Sequence, residues 1–350
     1  MKALAVIKPN VLQLVDVPMP RIGPYDALVR TELNFICNAT DRKLIEGHFP
    51  GVDASGYPLL LGHENTGIVT EVGDRVTTFT PGDRVVCGLF LHPEPPFKSN
   101  WGGCGEYVVA HDHAAMVADG VADAEHGWSE LYQIMRKVPA DIPPEAAALL
   151  CTWREVYSAF TAFKLKPEDR ILIFGVGPVG LSFINFAKIM GFRFVACVAP
   201  RSPKHDVAKR LGVDAIYTPD EDYAARFLAD AGGPADAVID AVGSPDIINR
   251  SLGMLRMEGT VGVYGVVSDS SMTLDLERAP LNFNLLFHRE PTRVHETGAT
   301  DPVCRLVREG RLRPDDYITG RFAIDDYAAA FAATREKRSI KTLLAFTHEI

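Results

Sequence analysis

The sequence has little positive charge and no clustered basic segment. Its 36 lysine and arginine residues are outnumbered by 45 aspartate and glutamate residues, which gives a formal net charge of −9. A surface that binds phosphates along a nucleic acid needs clustered Lys and Arg side chains. We therefore exclude a sequence-independent nucleic-acid binder.

A long apolar run is also missing at the amino terminus. The apolar stretch at residues 3–7 is broken by Lys8 and Pro9, so it is too short for a secretory signal or a membrane span. We expect a cytoplasmic protein with no membrane partner.

Cysteine is sparse, with six residues in a chain of 350. Small secreted domains carry a dense framework of disulfides, which this scattered pattern does not match. Free thiols or metal ligands are more plausible for Cys37, Cys87, Cys104, Cys151, Cys197 and Cys304.

What the chain does have is an ordinary globular composition, with 47% apolar and 23% charged residues. Its length exceeds that of a typical single domain, so we expect two domains that share one cleft.

The pattern of apolar runs changes along the chain. Up to about residue 144 the runs are short and separated by Gly, Pro and Asp, which indicates a β-rich domain. From 170 to 265 strands and helices alternate, which favours a doubly wound parallel sheet. The tail ends in an amphipathic helix (327–336) and a strand (339–346), which we expect to rejoin the first domain.

Residues 118–137 do not fit this pattern. They separate two strand-like segments and are long for a connection inside a compact domain. We expect a helical insertion here.

A glycine-rich loop joins the apolar strand 170–174 to an apolar helix that begins near residue 179. In a dinucleotide-binding fold the first glycine allows a tight turn, the second admits the pyrophosphate, and the third lets helix and strand pack. We predict cofactor contacts at Gly175, Gly177, Pro178, Val179 and Gly180.

The end of the second strand indicates which dinucleotide binds. NAD sites usually place an acidic residue there, about 20 residues after the glycines, and this sequence has Ala199. Arg201, Ser202 and Lys204 follow, and they could bind a 2′-phosphate. We predict a preference for NADP, with NAD held by backbone amides as the alternative.

Four residues in separate motifs have the side chains that zinc prefers. Zinc binds thiolate, imidazole and carboxylate, and a catalytic site keeps one position open. The candidate ligands are Cys37, His63, Glu64 and Cys151. Taken singly, each could instead be an ordinary buried residue or a strand-end charge.

Over nearly its whole length the chain resembles the zinc-containing medium-chain alcohol and polyol dehydrogenases. The matches occur in order at Cys37, 62–67, 72–73, 81–85, 149–151, the glycine loop and 339–342. The resemblance implies a GroES-like catalytic domain (1–152 and 298–350) around a Rossmann domain (153–297). It also implies Cys37, His63 and Cys151 as zinc ligands, Glu64 as an occasional ligand, and Lys341 as a cofactor contact.

The chain departs from the family at two places. Thr40 and Asp41 stand three and four places after Cys37, one place later than the hydroxyl and acidic residues of relatives. Either the turn bulges, or the roles of Thr40 as proton relay and Asp41 as partner of His63 shift. Many relatives also carry four close cysteines that bind a structural zinc; here that interval has only Cys87 and Cys104, so we expect no structural zinc.

The predicted reaction is hydride transfer between a hydroxyl-bearing substrate and the nicotinamide, which loops near Val242 and Val266 would hold. Trp153, Arg154 and Glu155 directly follow the third ligand, and we expect them beside the nicotinamide or substrate. The charges of Arg154 and Glu155 favour a polar alcohol, polyol or sugar.

The sequence leaves two alternatives: a zinc-free enone or quinone reductase of the same fold, and a non-catalytic nucleotide-binding protein on this scaffold. The resemblance also implies a homodimer or homotetramer, formed through residues 259–267 and 272–276.

Overall fold

The computed structural model describes residues 1–99, 101–269, 271–288 and 290–346. The chain divides into two compact units. The outer unit comprises residues 1–152 and 293–350, and the inserted unit comprises residues 153–292. The return to the outer unit begins at Arg293 and not at 298, because the helix that starts there packs in the outer unit, where Thr297 Oγ1 donates to Gln133 O at 2.9 Å.

The first part of the outer unit is built mainly from short strands. In chain order its elements are β1 (Lys2–Lys8), β2 (Val11–Asp16), β3 (Asp26–Phe35), α1 (Thr40–Glu46), β4 (Leu59–Leu60), β5 (Glu64–Val72), β6 (Arg84–Val86), β7 (Tyr107–His111), α2 (His113–Ala118), β8 (Arg136–Lys137) and the first part of α3 (Pro144–Ala162), which continues into the inserted unit from Trp153.

The inserted unit alternates strands with helices, as the sequence predicts. Its elements are β9 (Arg170–Phe174), α4 (Pro178–Met190), β10 (Phe194–Val198), α5 (Lys204–Arg210), β11 (Ala215–Tyr217), α6 (Tyr223–Asp230), β12 (Ala235–Asp240), α7 (Pro245–Leu252), β13 (Leu255–Val263) and β14 (Phe283–Phe287).

The tail supplies the rest of the outer unit. Its elements are α8 (Arg293–Gly298), α9 (Thr300–Arg308), β15 (Ile318–Ala323), α10 (Tyr327–Arg335) and β16 (Lys341–Ala345). The predicted return of the tail is confirmed, because β16 pairs with β3 in antiparallel fashion.

Strand β3 organises the larger sheet of the outer unit. It pairs along its length with β5, while its first half also pairs with β7 and its last three residues with β16. The seven strands follow the order β15-β16-β3-β5-β6-β8, with β7 on β3, and a second sheet has the order β2-β1-β4. Cys37 directly follows this strand, and Glu64 begins its partner β5.

The inserted unit contains one six-stranded parallel sheet in the order β11-β10-β9-β12-β13-β14. Its central strand β9 is apolar and buried from Ile171 to Phe174, as expected when helices cover both faces. The chain order of the strands reverses between β9 and β12. Sheets of this kind bind their ligands there, at the carboxyl ends of the strands.

The segment 118–137 corrects one expectation. It contains two 3₁₀ turns, Ala124–His126 and Glu130–Ile134, followed by strand β8, and not an α-helix. Gly120 and Gly127 adopt positive φ angles of 72° and 73°, which interrupt regular helix. Within the described residues, no helix has the length and apolar character needed to cross a membrane.

Candidate metal centre and dinucleotide site

Cys37 lies in the turn between β3 and α1. Its carbonyl accepts a hydrogen bond from the Asp41 amide at 2.9 Å, and its own amide donates to Asp41 Oδ2 at 2.9 Å. These reciprocal bonds fix the turn, and α1 begins at Thr40. Asp41, the second residue of the helix, thus holds the turn that carries Cys37.

His63 follows Gly62, and any other residue at position 62 would force the neighbouring atoms to move. Gly62 has a φ of 88°, and a Cβ there would lie 2.4 Å from Cys104 Cβ. The imidazole Nδ1 lies 3.8 Å from Asp41 Oδ1. Burial raises the pKa of Asp41 to about 6, although the charge of His63 and the Cys37 amide oppose this shift. Asp41 Oδ1 thus faces the His63 ring at a distance longer than a hydrogen bond.

Cys37, His63 and Glu64 form a cluster of potential metal ligands. One donor atom from each lies within 4.8 Å of the others. Burial lowers the pKa of His63, but its hydrogen bond with Cys37 and the nearby negative groups outweigh this and raise it to about 10. His63 Nδ1 and Asp41 Oδ1 are buried without a hydrogen-bond partner among the described residues. The donor set and its excess of negative charge fit a divalent zinc ion.

Glu64, the first residue of β5, is held by two side chains. Thr152 Oγ1 donates to Glu64 Oε2 at 3.0 Å, and Lys341 Nζ donates to the same oxygen. The lysine and glutamate side chains are 3% and 4% exposed. Burial would raise the pKa of Glu64, but the charge of Lys341 brings it below its ordinary value.

The sequence does not predict the pairing of Lys341 with Glu64. It predicts a cofactor contact for Lys341 instead. The partners are separated by 277 positions, so no local motif links them. Thr152 was also missed as a partner of Glu64. Its only sequence signal is its place directly after Cys151.

Cys151 lies on α3 at the edge of the cluster. Its side chain is buried, and Sγ lies 3.8 Å from the carbonyl oxygen of His63. The structure thus groups the donor atoms of Cys37, His63 and Glu64, whereas Cys151 lies beside this group, against the backbone of His63. His48 is exposed, whereas Cys87 and Cys104 are buried, and burial raises the pKa of Cys104.

The glycine loop of the inserted unit has the geometry that pyrophosphate binding needs. Gly175 has a φ of 101°, and Gly177 is the N-cap of α4, whose first residue is Pro178. A Cβ at Gly180 would lie 2.0 Å from Gly175 O, so strand and helix pack there only with glycine. Val179 lies in the first turn of α4, whose free amides can bind an anion.

The other predicted cofactor residues also lie at strand ends of the inserted unit. Ala199 is buried after β10, Arg201 is exposed, Ser202 follows it, and α5 begins at Lys204. Val242 and Val266 follow β12 and β13, and the Val242 side chain is 54% exposed.

The three residues after the third ligand differ in accessibility. Trp153 and Arg154 are both fully buried at 0% exposure, so the Arg154 guanidinium does not reach an accessible surface, contrary to the expectation that it lies beside a ligand. Glu155 is partly exposed and accepts a hydrogen bond from Tyr264 OH at 3.1 Å.

Two family models match the chain. Residues 23–119 match the alcohol dehydrogenase GroES-like domain, and residues 178–295 match the zinc-binding dehydrogenase domain. An alcohol dehydrogenase of Cupriavidus necator is 28% identical, covering 95% of this chain and 94% of the relative. A probable D-xylulose reductase A of Aspergillus terreus is 27% identical, covering 94% of each.

Solved structures show the same fold. Alcohol dehydrogenase TADH from Thermus sp. ATN1 aligns with a TM-score of 0.80 at 24% identity, covering 99% of this chain and 100% of that one. The 2R,3R-butanediol dehydrogenase from Bacillus subtilis aligns with a TM-score of 0.79 at 22% identity, covering 98% and 99%.

A GroES-like β-rich unit with this cluster, together with a doubly wound sheet that carries the glycine loop, defines a zinc-dependent dehydrogenase. The chain belongs to the zinc-containing medium-chain alcohol dehydrogenase family. It is an oxidoreductase that uses zinc and a nicotinamide cofactor, and the predicted fold class is confirmed.

Proposed function

We propose that Cys37, His63 and Cys151 hold one catalytic zinc ion, with Glu64 as an occasional further ligand. The observation that carries this proposal is the cluster of Cys37, His63 and Glu64, whose donor atoms lie within 4.8 Å of one another, with Cys151 Sγ 3.8 Å from the carbonyl oxygen of His63. Zinc in such a site acts as a Lewis acid that lowers the pKa of a substrate hydroxyl.

The surrounding side chains position these ligands. Asp41 orients His63, and a carboxylate in that place fixes the tautomer of a ligand imidazole. Lys341 and Thr152 both bind Oε2 of Glu64, which leaves the second carboxylate oxygen outside those two bonds. Thr40, at the start of α1, carries the substrate proton outward.

We infer that the cofactor is NADP. The support is the absence of an acidic residue at Ala199 and the placement of Arg201, Ser202 and Lys204 directly beyond β10. The cofactor contacts proposed for the glycine loop, Val242 and Val266 place the pyrophosphate and nicotinamide at the carboxyl ends of the strands. For Lys341 we now propose anchoring of Glu64.

The cofactor preference is tested by measuring kcat/KM with NADP and NAD. NADP should give the higher value, and Arg201→Ala should lower it by about 10- to 100-fold, since a charged hydrogen bond contributes about 1.5–3 kcal/mol. The same change should leave the value for NAD nearly unchanged. Lys209→Ala is the matched control, because it also removes one positive charge, but from the last turn of α5. A clear advantage for NAD in the unmodified enzyme would reject NADP.

We propose a polar alcohol, polyol or sugar as the substrate. Curated relatives include D-xylulose reductases, and Glu155 offers a partly exposed carboxylate held by Tyr264. The test is a panel of polyols, sugars, aliphatic alcohols and aromatic alcohols with both cofactors. Turnover of the simple alcohols without turnover of any polyol or sugar would overturn this substrate class.

We also propose a homodimer or homotetramer that forms through the last strands of the inserted sheet. Large apolar side chains are exposed at Leu276 (63%) and Leu281 (92%), which lie between β13 and β14, and at Phe287 (46%), the last residue of β14. Analytical ultracentrifugation should show a dimer or tetramer for the unmodified chain and a smaller species for Leu281→Glu. A monomer at micromolar concentration would reject the assembly.

A further inference from the structure

Asp240 is the last residue of β12, and its side chain is fully buried. Its carboxylate accepts hydrogen bonds from three consecutive backbone amides. Oδ1 accepts from Val242 at 2.8 Å and Gly243 at 2.9 Å, and Oδ2 accepts from Ser244 at 2.9 Å. One carboxylate thus fixes the whole backbone between β12 and α7.

The backbone carbonyl of Asp240 reaches the neighbouring strand end. It accepts hydrogen bonds from the Tyr264 amide at 3.0 Å and the Gly265 amide at 2.9 Å, which directly follow β13. Asp240 therefore connects the loop at 242–244 with the loop at 264–266 through five hydrogen bonds.

The two loops are also in direct backbone contact. A Cβ at Gly265 would lie 2.1 Å from Gly243 N, and Gly243 has a φ of 85°. Any displacement of one loop would therefore move the other. Their relative position is set by backbone atoms and not by adaptable side chains.

The position of this arrangement has a functional meaning. The loops lie at the carboxyl ends of β12 and β13, where sheets of this topology bind their ligands. They carry Val242 and Val266, the residues proposed to hold the nicotinamide. A buried carboxylate is costly unless its oxygens are hydrogen-bonded, and here the loop that bears Val242 donates all three of these bonds.

We propose that Asp240 is a positioning residue for the nicotinamide end of the dinucleotide: it holds the loops 242–244 and 264–266 in the geometry that binds the cofactor. This inference rests on the proposed dinucleotide binding by the inserted unit. Asp240 acts through Val242 and Val266 and does not itself contact the ligand.

The test compares two conservative variants of the same strand. Asp240→Asn keeps the shape of the side chain but replaces one acceptor oxygen by a donor that faces backbone N–H groups. Asp236→Asn, at the opposite end of β12, is the matched control, because Asp236 Oδ2 also accepts a backbone amide, that of Arg170, at 2.9 Å. The dissociation constants of NADPH and NADH are measured by calorimetry on the zinc-loaded enzyme, alongside urea unfolding of each variant.

Asp240→Asn should weaken dinucleotide binding by about tenfold or more, whereas Asp236→Asn should stay within about twofold of the unmodified enzyme even if both lose stability. Equal losses in the two variants, or a dissociation constant for Asp240→Asn within twofold of the unmodified enzyme, would overturn the proposal. If the unmodified enzyme binds neither NADPH nor NADH, the proposed function fails instead.

Amide hydrogen exchange on the unmodified enzyme gives a second measurement that does not depend on the folding of a variant. Without cofactor, the amides of residues 242–244 should already exchange slowly, and NADPH should slow exchange further in both loops. Rapid exchange of these amides without cofactor, or no response to bound NADPH, would contradict the proposed positioning.

Discussion

Glu64 shows how single side chains define the metal centre. A carboxylate buried this deeply needs a partner, and Lys341 and Thr152 both bind its Oε2. Removing one member of a buried ion pair leaves the other charge without compensation, which costs about 3–5 kcal/mol. Lys341 is therefore important for the stability of the site as well as for its geometry.

Lys341→Met should lower the free energy of unfolding of the zinc-free protein by about 3–5 kcal/mol, because Glu64 remains buried without its cation. The double variant Lys341→Met/Glu64→Gln should recover most of this loss, since both charges are removed. Urea unfolding of the two variants checks the prediction. A loss below about 1 kcal/mol, the value typical of surface pairs, would contradict the strength assigned to this pair.

The sequence identifies the candidate ligands but not the side chains that hold them. Cys37, His63, Glu64 and Cys151 stand in motifs whose residue types suit zinc, so each is visible locally. The Lys341–Glu64 pair and the bond from Thr152 depend on the folded chain, in which β16 pairs with β3 beside β5. The burial of Arg154 is likewise a tertiary property that a charged residue in a sequence does not reveal.

Among the elements, α2 depends on one buried carboxylate at its start. Asp112 Oδ1 accepts the Ala115 amide at 3.0 Å, and Oδ2 accepts the amides of Thr77 and Thr78 at 2.8 Å each. Burial opposes the charged form, but these bonds bring the pKa of Asp112 below its ordinary value. Asp112 thus connects the start of α2 to the segment between β5 and β6.

Asp112→Asn should destabilise the protein by about 1–3 kcal/mol at pH 7, because the three backbone amides that donate to Asp112 lose a charged acceptor. A lowered pKa contributes stability above the pKa of the unfolded state, about 3.9, and this contribution disappears as the pH falls through the folded-state value. The difference between variant and unmodified protein should therefore shrink toward pH 3. Denaturant unfolding at both pH values is the measurement, with exposed Asp53→Asn as the control.

A constant difference across that pH range would contradict the role of the Asp112 charge. Asp53 caps a single 3₁₀ turn through Ser55 and lies at the surface, so its substitution should leave stability nearly unchanged.

The sequence predicts helices and strands correctly where the apolar residues recur with a clear period. The strand 170–174 agrees with β9, and the helix 327–336 exceeds α10 by one residue. The prediction is wrong at 118–137, where the residues that precede the 3₁₀ turns, Asp123 and Ser129, cap them with their side chains. Such local side-chain hydrogen bonds compete with a continuous helix. The length of the segment, on which the prediction of a helical insertion is based, does not reveal them.

At the scale of the whole molecule, the ligand set depends on distant parts of the chain. Cys37 follows β3, His63 precedes β5, and Glu64 is the first residue of β5. Cys151 lies on α3, and Lys341, which holds Glu64, is the first residue of β16. The ion pair that holds Glu64 therefore forms only when β16 of the tail pairs with β3. The inserted unit, by contrast, builds its glycine loop from residues 170–180 alone.

The central claim is that one zinc ion is held by Cys37, His63 and Cys151 and is needed for turnover. The most direct measurement is zinc per chain by mass spectrometry in the unmodified enzyme and in Cys37→Ser and Cys151→Ser, together with turnover and NADPH binding. Cys304→Ser, a buried thiol of the outer unit away from these ligands in sequence, is the control. The account predicts one zinc per chain in the unmodified enzyme and the control, loss of zinc and turnover in the two ligand variants, and unchanged NADPH binding in all four. Full turnover of Cys37→Ser or Cys151→Ser without zinc would contradict it.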